Sequence, residues 1–209
     1  MADAGFFVLL GPDGAGKTTA MKEIARRLPS VRLVSTDAGL VRSEHALIAR
    51  LRRSVVEEVL PGLGRTYSPE FLASLLQTAV VHLRDQATAT GQAGPVLVDS
   101  YYYKILAKCR LAGIDHNPMY DWWRSFPQPE RVVYLDVTPE SAWCRSRSGM
   151  SLNPMEYYGT EPERAGFEQY QRNLRKLMLE EVDRLPVTFV EEQAGTARTA
   201  DAVLRALAP

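Results

Sequence analysis

Gly11-Pro-Asp-Gly-Ala-Gly16-Lys17-Thr18 sets two glycines, a lysine and a hydroxyl at the spacing G-x-x-x-x-G-K-[ST]. This pattern cradles the phosphates of a nucleotide. Glycines let the backbone wrap closely, with amide N–H groups turned inward toward anionic oxygens. A following helix adds the partial positive charge of its N-terminus. The loop residues expected to hold the nucleotide are Asp13, Gly14, Ala15, Gly16, Lys17, Thr18 and Thr19. Lys17 reaches the β- and γ-phosphates, and the Thr18 hydroxyl is a ligand for Mg²⁺. The implied cofactors are therefore ATP and Mg²⁺.

Acids and arginines elsewhere in the chain supply the remaining chemistry. Val96-Leu-Val-Asp99 is an apolar run ending in a carboxylate, which can hold Mg²⁺ through its waters. Asp136 ends a later run in the same way and ranks second, because Thr138-Pro139 reads as a helix start just beyond it. Asp37, in Ser35-Thr36-Asp37, stands where an acid could orient or deprotonate an acceptor hydroxyl; it reads equally as a helix N-cap. Asp13 inside the loop is tolerable if it turns toward metal or acceptor. Arg145 and Arg147 precede a stretch at 150–159 rich in Ser, Asn, Pro and Gly, which reads as a lid over 145–160. Phosphoryl transfer depends on positioning and charge neutralisation, and arginines in a closing lid supply that charge. Tyr101 and Tyr102 follow Asp99 and are candidates for contacting the acceptor, against the alternative that they pack in the core.

These residues need elements to hold them. Apolar runs at Phe6–Leu10, 31–34, 96–98, 132–135 and 187–190 are continuous rather than alternating, as in parallel strands buried on both faces. Helical patterns fall between them, at about 19–28, 40–60, 68–90, 102–111, from Thr138 onward, 164–185 and 201–207. The second of the long pair opens with Ser68-Pro69-Glu70 and stops near Gly91. Strand–helix alternation predicts an α/β fold: an open, doubly wound, parallel five-stranded sheet with helices on both faces. The length of 209 residues suits a single domain over 1–209. Lys+Arg and Asp+Glu are both 25, so no electrostatic case exists for nucleic acid or an anionic membrane. No apolar stretch approaches the ~20 residues of a bilayer span, and residues 1–10 lack the basic region of a signal peptide. Cys109 and Cys144 show no metal spacing, and a reduced, cytoplasmic setting is expected.

The chain resembles the thymidylate kinase family of P-loop kinases. The resemblance rests on Gly11 to Thr19 with its acid at Asp13, on Tyr134-Leu-Asp-Val-Thr-Pro-Glu140 followed by Arg145 and Arg147, on Phe167-Glu-Gln-Tyr, and on Phe189-Val-Glu-Glu. It implies a fold of P-loop kinase type with a lid, ATP-dependent kinase activity with arginines in that lid, and homodimers. Three departures separate the chain from the family. Ser100 replaces the arginine expected after the strand-ending Asp99, 75–82 carries no second arginine, and Ser35-Thr36-Asp37 replaces Arg-Glu-Pro. A phosphorylated acceptor would meet too little positive charge there, so the expected partner is an unphosphorylated hydroxyl compound, nucleoside-like or another metabolite. The alternatives are a dTMP-type kinase, with Arg84 or Lys104 restoring the clamp, and a non-catalytic nucleotide-binding protein.

Overall fold

The computed structural model describes residues 5–90 and 94–207. Five strands, β1 (Phe6–Leu10), β2 (Arg32–Val34), β3 (Val96–Asp99), β4 (Arg131–Asp136) and β5 (Val187–Glu191), form one parallel sheet in the order β2-β3-β1-β4-β5. β1 is central, with β3 on one side and β4 on the other. Successive side chains of these strands alternate between two cores. Phe6, Val8, Leu10, Val96, Val98, Val132 and Tyr134 face one layer; Leu9, Leu97, Val133 and Leu135 face the other. Burial on both faces explains the unbroken apolar runs.

The first layer is built by α3 (Pro69–Ala87), α4 (Tyr103–Leu111), α5 (Pro118–Arg124) and α7 (Arg164–Glu181), through Leu83, Leu106, Trp123 and Met178. The second is built by α1 (Lys17–Arg27), α6 (Pro139–Arg145) and α8 (Thr196–Leu207), through Met21, Ile24, Ala142 and Val203. Helix starts follow their caps. Ser68 Oγ accepts from Phe71 N at 3.1 Å, and Thr138 Oγ1 accepts from Ser141 N at 3.2 Å, each with proline next in the chain. α3 ends at Ala87; the expected stop at Gly91 lies outside the described residues.

One expectation is corrected and one helix is added. The 40–60 pattern is not one helix. Leu40 N and Val41 N close a turn on Asp37 O, a 3₁₀ turn follows at Ser43–His45, and α2 covers only Ala46–Ser54 before a π turn at Val55–Val59. α5 was not foreseen; Asn117 Oδ1 caps it by accepting from Met119 N at 2.9 Å. The π turn points Val55 and Val59 into a small third core with Leu60, Leu72 and Met155. Met155 belongs to the 146–163 connection, so that segment is packed over the carboxyl end of the sheet.

Candidate active site

The carboxyl ends of β1 and β3 open into a cavity of about 690 Å³. The β1–α1 loop forms its floor. Gly14 (φ +75°) and Gly16 (φ +85°) take left-handed backbone that side chains resist, and a Cβ on Gly14 would sit 2.9 Å from Ala142 O. Gly16 directly precedes α1, so residues 13–19 ring the helix N-terminus, and all of them line the cavity.

Lys17 Nζ donates to Gly11 O at 3.0 Å and Pro12 O at 2.9 Å, folded onto its own loop and buried. Burial and the neighbouring Lys104 ammonium pull its pKa down to about 7. A phosphate at the loop would favour the charged form, so nucleotide binding at pH 8 is expected to take up a proton. Apparent MgATP affinity should therefore fall as pH rises above about 7. Calorimetry in buffers of different ionisation enthalpy checks this, since proton uptake makes the observed heat buffer-dependent.

Asp13 points away from the loop's anion cradle. Its Oδ1 lies 2.7 Å from Lys104 Nζ, and its Oδ2 lies 3.0 Å from Lys108 Nζ. Burial opposes the charge, yet Lys104, Lys108 and Lys17 together hold this carboxyl well below the usual carboxylate range. Gln171, 1% exposed on α7, accepts from Asp13 N at 3.0 Å and donates to Glu156 O at 3.1 Å. Lys108 also pairs with the Glu156 carboxylate at 3.5 Å.

Asp99 ends β3 at the cavity. Its two oxygens accept from Ser35 Oγ at 2.9 Å and Ser100 Oγ at 2.8 Å, which fixes the plane of the carboxylate. The turn beyond it is strained: Ser100 (φ +59°) and Tyr101 (φ +47°) are consecutive non-glycine residues in left-handed backbone. Asp136, the competing strand-end acid, forms a two-toothed pair with Arg175 at 3.0 and 2.9 Å and does not line the cavity. Asp37 does line it; Gly39 N donates to its Oδ1 at 2.9 Å and Arg52 to its Oδ2 at 3.2 Å.

The two lid arginines part company. Arg145, the last residue of α6, lines the cavity, donates to Gly14 O at 3.4 Å and pairs with Glu192 at 2.6 Å. Arg147 takes φ +55° in the turn beyond the helix and lies exposed off the cavity, because the chain reverses between the two residues. Of the tyrosines, Tyr101 lines the cavity, with its hydroxyl donating to Pro127 O at 3.2 Å. Tyr102 does not line it. Its ring packs 4.4 Å from that of Tyr103, and it is 2% exposed, so the core reading fits its placement. Arg84 also lies off the cavity, held by Asp85 and stacked 4.6 Å from the Phe126 ring.

A thymidylate kinase family model matches residues 10–196. The chain belongs to the thymidylate kinase family. It is therefore an ATP-dependent small-molecule kinase, and family membership leaves the acceptor open. Among solved structures it is similar to a deoxyadenosine kinase from M. mycoides with the products dCMP and a flexible dCDP bound. That match has 14% identity and a TM-score of 0.60, covering 96% of this chain and 97% of that one. The same M. mycoides enzyme with dATP bound matches at 14% identity and TM-score 0.61, covering 96% and 98%. Thymidylate kinase from Candida albicans matches at 14% identity and TM-score 0.61, covering 98% and 91%. At such identity these neighbours establish the fold. No curated protein matches the chain significantly. Among the described residues, no helix is long and apolar enough to cross a membrane.

Lys108, Gln171, Glu156 and Arg52 were not singled out from the sequence. One signal was available: Lys104 and Lys108 stand four apart on the helix that follows Asp99, which places both on one face.

Proposed function

We propose that this thymidylate kinase family member moves the γ-phosphoryl group of MgATP onto an uncharged hydroxyl compound. Thr18 and Asp99 would hold Mg²⁺; one hydroxyl and one carboxylate suit an ion that takes its other ligands from phosphates and water. Asp99 belongs to β3, so the γ-phosphate belongs on the β3 side of the loop. The nucleoside half of ATP then falls on the β4–β5 side, toward Arg145 and the β5–α8 turn at Gly195 and Thr196. The acceptor is left the chamber between α2, α3 and α4. Lys17 and Arg145 neutralise charge on the transferring group, and Asp37 orients the acceptor hydroxyl.

The acceptor's lack of charge rests on one observation. Three cations line this chamber and each is already paired: Lys104 with Asp13, Lys108 with Asp13 and Glu156, and Arg52 with Asp37. Three carboxylates balance three cations, so a phosphorylated acceptor would bury a dianion without spare positive charge, which is costly. Steady-state assays with nucleosides against dTMP test this. Efficient turnover of dTMP, with kcat/KM of about 10⁴ M⁻¹s⁻¹ or more, would overturn it.

Arg145 and Arg147 should differ in effect. Arg145→Ala is expected to lower kcat by about 10²-fold or more, with a smaller change in KM for ATP, as for loss of a donor that acts at the transition state. Arg147→Ala should change either constant by less than about threefold, because its side chain faces solvent. Steady-state kinetics of the two variants side by side give the comparison.

A further inference from the structure

Parallel pairing of β2 with β3 sets Val34 beside Val98, so Ser35, the next residue after β2, comes beside Asp99. Ser35 is buried and does not line the cavity; Thr36, Asp37 and Asp99 do. The Ser35 hydroxyl serves both acids. It donates to Asp99 Oδ2 at 2.9 Å and accepts from Asp37 N at 3.1 Å. Chemistry settles these directions. A backbone N–H donates and a carboxylate accepts, so the single hydroxyl proton belongs to Asp99 and a lone pair to Asp37.

Ser100 holds the other carboxylate oxygen, donating to Asp99 Oδ1 at 2.8 Å. Its own N–H donates to Leu9 O at 3.0 Å, and its left-handed backbone turns the hydroxyl back onto the neighbouring acid. The terminal torsion of an aspartate is broad. A donor at each oxygen removes that freedom, and each oxygen keeps a second lone pair for another partner. Ser35 does more than Ser100, because it also ties the turn that carries Asp37 to the end of β3.

We infer that Ser35 is a positioning residue of the phosphotransfer site, one hydroxyl that holds the carboxylate of Asp99 and the turn of Asp37 in a fixed relation. This rests on the kinase reading above, in which Asp99 holds Mg²⁺ and Asp37 orients the acceptor hydroxyl. Transfer needs the attacking and leaving oxygens roughly in line with the phosphorus. A hydroxyl shared by the two acids sets their spacing without touching either reactant. Both serines stand where the family resemblance leads to an expectation of arginine, so the arrangement belongs to this chain.

The test uses the full chain saturated with the β,γ-imido analogue of ATP, with Mn²⁺ as the probe of the metal position. Electron paramagnetic resonance reads Mn²⁺ affinity, and NMR reads exchange of the Asp37 amide proton. Ser35→Ala and Ser100→Ala should each weaken Mn²⁺ binding about tenfold or more, the usual effect of removing the partner of a metal ligand. Affinity for the metal-free analogue should stay the same. Ser35→Ala alone should speed Asp37 exchange, by about fivefold or more, which is the loss of one hydrogen bond expressed as a rate ratio. Ser35→Thr keeps the hydroxyl and should restore both readings; Ser35→Cys, a weaker donor, should fall between. Unchanged Mn²⁺ affinity in Ser35→Ala and Ser35→Cys overturns the inference. Unchanged Asp37 exchange in the same variants overturns it as well, as does equal acceleration in Ser100→Ala, which marks a general loosening. In those cases the kinase reading stands. If Asp99→Asn itself leaves Mn²⁺ affinity unchanged, the metal assignment of that reading fails and the inference falls with it.

Discussion

Replacing Lys17 by Ala lowers phosphotransfer by about three orders of magnitude or more while the protein stays folded, because electrostatic stabilisation of the transferring group is the main contribution of such a site. The structure adds a less obvious half to this result. Lys17 is buried, and its pKa falls to about 7 through that burial and the Lys104 charge, so its ammonium form is disfavoured in the folded protein. The unfolded chain binds more protons at this position between pH 7 and the ordinary lysine range, so the residue costs stability at neutral pH, and the cost is relieved as pH rises. Lys17→Ala should thus melt at the same temperature as the parent or slightly above it near pH 7. Single-turnover rates and calorimetric melting of the same preparation check both halves. A variant that loses its fold along with its activity would contradict this account.

Asp13→Ala should be the more damaging change to stability, at about 3–5 kcal/mol, the usual consequence of removing one partner from a buried ionic group. Asp13 is the counter-charge that Lys104 and Lys108 share at 2.7 and 3.0 Å, and Lys17 lies in the same field. Without it, three ammonium groups are left in one wall with Glu156 as the remaining carboxylate partner of Lys108. The pH dependence gives the signature. In the parent protein the depressed carboxyl contributes stability that is present above the ordinary aspartate range and lost as pH falls through the lower folded value. In the variant the stranded lysines shed protons more readily than in the unfolded chain, so its deficit should shrink toward alkaline pH. Urea unfolding at acid, neutral and alkaline pH measures this, and adding Lys104→Met to Asp13→Ala should recover part of the loss.

Much of the fold was legible because its signals are local. The five apolar runs lie within one or two residues of the five strands, since both faces of a parallel sheet are buried. Ser68 and Thr138 announced their helices because a cap is a contact between neighbours in sequence. α5 was missed because seven residues hold too few turns for a periodic pattern. The 40–60 stretch misled because its apolar period continues through the π turn, while the turn closed on Asp37 O depends on backbone geometry that periodicity does not register.

The nucleotide-binding half of the site was legible for the same reason: it is one loop with fixed spacing. Asp99 and Asp136 could not be separated with certainty by pattern, since both end apolar strands. Arg175, 39 residues further on, marks the difference by neutralising Asp136. Arg145 and Arg147 look equivalent in sequence; the end of α6 between them sends one to the cavity and the other to solvent. Ser100 was read as a missing cation, and the structure shows what the hydroxyl does instead, anchoring the carboxylate of Asp99. The rest of the cavity wall was not legible, because α2, α3, α4 and the 146–163 segment meet only in three dimensions.

Gln171 joins parts that perform different tasks. Its side-chain oxygen accepts from the backbone of the phosphate loop, and its nitrogen donates to the backbone of the segment packed over the cavity. Any coupling carried through such a shared partner is reciprocal. By whatever factor a bound nucleotide favours the packed position of the 146–163 segment, that packing tightens nucleotide binding. An acceptor that holds Met155 inward would then act as an effector of ATP affinity without touching ATP.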